Sequence, residues 1–139
     1  MPGESSEDEL RIAIMRLSRR MRLERVATDI TDGQLSVLFV LMQEGAQTLS
    51  SLSEQEKVSA PSMNRTVNSL VRAQLVTRGR STEDGRKVTI EPTDAGLELV
   101  KETRRRRVAW FARQLAQLTA EQRAVVSAAT PLLRQVADS

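Results

Sequence analysis

Between Ser59 and Arg72 the chain holds hydroxyl, amide and guanidinium side chains and no carboxylate. Wound as a helix at about 100° per residue, this stretch sets Pro61, Ser62, Arg65, Asn68, Ser69 and Arg72 opposite the stripe Met63, Val67, Leu70 and Gln74. Arginine can bond guanine through two hydrogen bonds, asparagine can pair with adenine in the same way, and a hydroxyl at a helix amino end can bond phosphate. Arg65 is then a candidate guanine reader, Asn64 or Asn68 an adenine reader and Ser62 a phosphate contact, with Ser59 as helix cap and Pro61 in the first turn. Any solvated helix also shows a polar face, so this helix alone does not decide for nucleic acid. The segment that follows adds weight. Lys57 to Glu91 carries seven basic residues against three acidic ones, a local charge of +4, and Arg80, Arg86 and Lys87 flank an Asp84-Gly85 turn. A long cation at the tip of a β-loop suits the negative potential of a minor groove, although tip charges can equally serve to blunt a sheet edge.

Other chemistry is excluded by what the chain lacks. It has no Cys, His or Tyr, which removes disulfides, thiolate and imidazole metal sites and the usual nucleophile–base pairs. Glu83 and Asp84, the adjacent acid pair nearest the basic segment, fall on a turn and not in an apolar pocket. The expectation is no enzyme, no metal and no cofactor. No apolar run approaches the roughly 20 residues of a membrane span, and the amino terminus is acidic where a secretory signal is basic; a cytoplasmic protein is expected. Glu4, Glu7, Asp8 and Glu9 carry −4, so the chain from Leu10 onward carries +7, 21 basic against 14 acidic residues. A basic body implies an anionic partner.

The elements that must position these residues follow from period and caps. A capping box of Ser6 and Glu9 opens a long first helix with Leu10, Ala13, Ile14, Leu17 and Met21 on one face. Thr31 and Gln34 open a second, stopped by Gly45 in a left-handed conformation. A short helix from about Thr48 to Gln55 leads through a turn to the helix capped by Ser59. The period then switches to two: Leu75 to Gly79 and Lys87 to Glu91 form a hairpin. Pro92 and Thr93 begin a long helix with Leu97, Val100, Val108, Phe111, Leu115 and Leu118 on a seam that Arg104 interrupts. Thr119 and Gln122 cap the last helix, which Pro131 is expected to kink or end. The fold class is mainly α with a small β-hairpin (α+β), and two short helices joined by a tight turn match the helix-turn-helix arrangement. The apolar seams of the first, fifth and sixth helices have no partner within a compact winged domain, so homodimerisation is expected to bury them.

The run Asp84-Gly85-Arg86-Lys87-Val88-Thr89-Ile90-Glu91-Pro92-Thr93-Asp94-Ala95-Gly96 resembles the wing motif of the MarR family, D-x-R, a β-strand, then L-T-x-x-G. Ser62 to Leu70 followed by Leu75-Val76-Thr77-Arg78 is similar to that family's recognition helix and first wing strand, and Thr31 to Leu41 resembles its second helix. The resemblance implies a winged helix-turn-helix over residues 31–92, a dimerisation domain of an N-terminal helix (1–30) and C-terminal helices (93–139), and a homodimer that reads a palindromic operator in double-stranded DNA. It implies further that Arg86 enters the minor groove, that Asp84 orients the wing, and that Ser62, Asn64 and Arg65 face the major groove. The mechanism expected is repression, released by a small-molecule effector. Three positions depart from the family pattern: Pro92 for Leu, Ser53 for a small apolar residue, and Pro131 in the last helix. Met15, Phe39 and Trp110 are candidates to line an effector pocket, though core packing is the better reading for Trp110 and Phe111. Arg104 is expected to form an internal ion pair in preference to binding an anionic effector, and Arg104 to Arg107 to be paired or solvated in preference to forming a nucleic-acid patch. The rival function is a helical protein-interaction module, such as an antirepressor, that keeps the fold without DNA contact.

Overall fold

The computed structural model describes residues 5–26, 29–80, 83 and 85–139. Helices span Ser6–Leu23 (α1), Asp32–Glu44 (α2), Leu49–Glu56 (α3), Ala60–Arg72 (α4), Asp94–Ala116 (α5) and Ala120–Ala137 (α6), and strands span Gln47–Thr48 (β1), Val76–Arg80 (β2) and Val88–Pro92 (β3). They form two compact units: Arg25–Arg105, and the residues up to Glu24 with Arg106–Ser139.

In the central unit α2 opens with the expected capping box. Gln34 N–H donates to Thr31 Oγ1 (3.1 Å) and Thr31 N–H to Gln34 Oε1 (3.0 Å), which satisfies two amides that a helix start leaves orphaned. Leu35, Val37, Leu38 and Leu41 of α2 are buried with Leu52 of α3, Met63, Val67 and Leu70 of α4, Val76, Ile90 and Val100 in one core. Ser36 Oγ donates to the Glu56 carboxylate (2.9 Å) and ties α2 to the end of α3. Gly45 ends α2 at φ 79°, a conformation that favours glycine, but its ψ of −161° lies outside the left-handed helical region expected for it.

The hairpin became part of a three-stranded antiparallel sheet of order β1-β3-β2. β2 and β3 pair in the register Val76↔Pro92, Arg78↔Ile90 and Arg80↔Val88, and β1 adds Gln47↔Ile90 and Thr48↔Thr89. β1 is two residues long, too short to show a period-two pattern, and went unforeseen for that reason. The start of α5 is pinned to the end of α4: Thr93 N–H donates to Leu75 O (3.0 Å), Thr93 Oγ1 to Gln74 O (2.7 Å), and Gly96 N–H to Thr93 Oγ1 (3.1 Å). A Cβ at Gly96 would stand 2.2 Å from Leu75 O, so only glycine allows this approach.

One sequence expectation for the terminal unit needs correction, and one of the two alternatives for Pro131 falls. Ser5, not Ser6, caps α1: Asp8 N–H donates to Ser5 Oγ (3.2 Å), while Ser6 Oγ turns to Glu7 (3.4 Å). Two adjacent serines offered either cap, and the helix took one more residue. Pro131 does not end α6, which runs on to Ala137. Its missing N–H leaves one carbonyl without a helical partner, while Thr130 Oγ1 donates to Val126 O (3.2 Å). Trp110 packs as expected; it is buried, with the Arg20 guanidinium 4.9 Å above its ring centroid. α6 starts with a capping box of Thr119 and Gln122. Neither α1 nor α6 contains a buried residue.

Candidate nucleic-acid interface

α3 and α4 are joined by the short turn around Lys57, which holds φ 54° and ψ 45°, and Val58 N–H closes the turn on Ser53 O (3.1 Å). The turn lets α4 leave with its amino end free. Ser59 caps it, its Oγ accepting from Ser62 N–H (3.2 Å), and Pro61 sits in the first turn where no amide is needed. Ser51 and Gln55 of α3 are tied to Gln47 of β1 by side-chain hydrogen bonds of 2.7 to 3.0 Å.

α4 is divided as the helical period requires. Met63, Val67 and Leu70 are buried, whereas Pro61, Arg65, Asn68 and Arg72 are exposed and Ser62, Asn64 and Ser69 are half-buried. Among the described residues the Arg65 guanidinium makes no hydrogen bond or ion pair, which leaves its planar fork for an external acceptor. Arg72 Nη2 donates to Ser69 Oγ (3.2 Å) along the same helix.

The hairpin brings one of its cations, Arg78, beside this helix. Arg78, on β2, donates from Nη2 to Asn68 Oδ1 (2.6 Å) and Asn64 Oδ1 (3.2 Å). In sequence Arg78 stands out only as local charge and as part of the stretch similar to the first wing strand, with no contact of its own. Its signal was strand parity: Arg78 lies two residues from buried Val76 and therefore faces the same side of the sheet. Arg80 Nη1 reaches Gly85 O at 3.5 Å, a contact across the loop, and Arg86 and Lys87 are exposed. Asp84, expected to orient the wing, lies outside the described residues.

The candidate effector residues divide between the two units. Phe39 and Arg104 line one open groove of about 590 Å³ with Met42 and Gln43. Met15 and Trp110 belong to the terminal unit, Met15 exposed and touched by Arg11 Nη1 at 3.5 Å from its sulfur. Arg104 departs from the expected internal ion pair: it is exposed and, among the described residues, pairs with no acid. Of its neighbours, Arg105 pairs with Glu102 (2.9 Å) as expected, while half-buried Arg107 donates from Nε to a backbone carbonyl, Glu24 O (3.3 Å). The reason is helical geometry, which turns Arg105 toward Glu102 three residues before it and leaves Arg104 facing Lys101 at the same spacing.

Comparison with known proteins places this arrangement. Residues 30–88 match the model of the MarR family. An uncharacterised HTH-type transcriptional regulator of Mycobacterium bovis is 38% identical over 130 residues, 94% of this chain and 91% of that protein. A Pseudomonas aeruginosa protein described as a transcriptional regulator shares the structure with a TM-score of 0.83 at 28% identity, over 94% of this chain and 93% of that one. A mutant of MepR from S. aureus, solved bound to an oligodeoxyribonucleotide, has the same fold at 19% identity and a TM-score of 0.71, over 96% of this chain and 99% of that one.

Proposed function

Because this chain belongs to the MarR family of winged helix-turn-helix transcription regulators, DNA-binding proteins and not enzymes, we propose that it is a dimeric repressor of a palindromic operator. In this reading α4 lies in the major groove, with Arg65 on a guanine and Ser62 toward the backbone, and Arg86 at the hairpin enters the flanking minor groove. The observation that carries it is the exposed, acid-free face of α4 around Arg65, backed by buried Met63, Val67 and Leu70 and met by Arg78 of the hairpin, which also carries exposed Arg86 and Lys87. The MepR mutant on its oligodeoxyribonucleotide supports DNA as the partner of this fold.

The helices of the terminal unit, α1 and α6 with the end of α5, are the dimerisation part, and two-fold symmetry sets the recognition helices about 34 to 36 Å apart, one turn of DNA. An anionic small molecule releases the operator, with Arg104 and Phe39 as its contacts. The protein works in the cytoplasm, where the DNA is; no helix among the described residues is long and apolar enough to cross a membrane.

Gel retardation of the DNA upstream of its own gene tests the reading. Retardation is expected, with log affinity falling against log salt at about −0.9 per phosphate contact; no retardation, or affinity indifferent to salt, would leave the antirepressor reading in its place. Arg65→Ala should lower affinity by about 1–3 kcal/mol and relax preference at one base pair, and Arg86→Ala should weaken binding mainly at A·T-rich flanks. Parent-like binding by both variants would show that the reading face lies elsewhere.

A further inference from the structure

Asn64 and Asn68 stand one helical turn apart on α4, and both turn their Oδ1 atoms to a single nitrogen, Nη2 of Arg78, at 3.2 and 2.6 Å. Guanidinium carries only donors, so the amide atoms facing it must be the oxygens whichever way the side chains are drawn. Among the described residues the two Nδ2 amines donate to nothing else. The consequence bears on base reading. Pairing an asparagine with adenine needs the amide oxygen to accept from the N6 amine while Nδ2 donates to N7. Each oxygen keeps a second lone pair, but with the amide turned so that its oxygen faces Arg78 it is the Nδ2 end, the donor half of that pair, that is left without a partner. Guanine shows two acceptors in the major groove, N7 and O6, and no donor.

We infer that Arg78 is a specificity-determining positioning residue: by holding the amide oxygens of Asn64 and Asn68 it makes both side chains present donors, and so directs them to guanine in place of adenine. The inference rests on α4 being the helix that enters the major groove. Arg78 acts through the asparagines and touches no base itself. Its place on β2 couples the wing to the recognition helix, so the sheet register that sets Arg78 opposite Ile90 also sets the chemistry α4 displays.

The test is selection of bound duplexes from a randomised pool by the full chain, followed by titration of matched duplexes. Asn64→Ala, at a half-buried position, and Asn68→Ala, at an exposed one, locate the base pairs these residues read. At those pairs the parent should prefer guanine to adenine, and Arg78→Ala should move the guanine-to-adenine affinity ratio on the order of tenfold toward adenine. Arg78→Lys, which keeps a donor, should retain the parental preference. A thermal melt checks that each variant folds. If Arg78→Ala does not fold, Asn68→Asp decides: its carboxylate still accepts from Arg78 but has no amine, so the guanine preference at its base pair must fall. The inference is overturned if the parent prefers adenine at these pairs, or if Arg78→Ala loses affinity uniformly with its base profile intact, as a cation near phosphate would. Failure of the parent to bind any duplex is a different result, since it removes the DNA-binding reading itself and this inference with it.

Discussion

α1 and α2 both repeat apolar residues at three- and four-residue spacing, yet α2 buries Leu35, Val37, Leu38 and Leu41 inside its own unit while α1 buries none of its residues. The contrast extends across both units. In the central one, α2, α3, α4 and the sheet close over a single core. In the terminal one, Leu23 is 68% exposed, Leu132 64% and Val136 73%, and Leu10, Val108 and Val125 are also exposed. Apolar periodicity therefore reports that a face needs covering and does not say what covers it. Large apolar residues left exposed at helical spacing call for a cover. We propose a second copy of the chain as that cover, so that the two units would differ in the chain that completes them.

Substitutions can break that contrast. The largest effect is expected in the self-contained unit: Leu38→Ala, at a fully buried site, should lower unfolding free energy by about 2–5 kcal/mol in denaturant titration. That loss should not depend on protein concentration. Leu132→Glu, at an exposed site of the terminal unit, should instead weaken self-association by about 2 kcal/mol or more in sedimentation and make the melting temperature of the variant insensitive to concentration. An unchanged association constant would mean that this part of α6 faces water in the working protein. The smallest effect compares one device in both units. Thr31→Ala and Thr119→Ala each remove a capping box and should each lower stability by about 1 kcal/mol.

The fold was legible where local chemistry is self-sufficient. The Thr31–Gln34 and Thr119–Gln122 boxes, the Ser59 cap with Pro61, and the buried stripe Met63, Val67 and Leu70 all appear as their spacing requires. The resemblance in Thr93 to Gly96 has a physical content that spacing alone did not reveal: the threonine anchors α5 to Gln74 O, and the glycine admits Leu75 O. What escaped was set by partners far along the chain. β1 exists because β3 offers it an edge. Arg78 matters because sheet pairing carries it to Asn64 and Asn68, fourteen and ten residues before it. Arg104 interrupts an apolar seam, which predicts an ion pair, but an interrupted seam does not say which side of the helix is covered.

The claim that one unit reads DNA and the other joins two chains is tested most directly by sedimentation of the full chain with a selected palindromic duplex. Two chains per duplex are expected for the parent, with loss of both self-association and operator binding in Leu132→Glu while the central unit stays folded by circular dichroism. A single chain held per duplex, or undiminished operator binding by a monomeric Leu132→Glu, would contradict it.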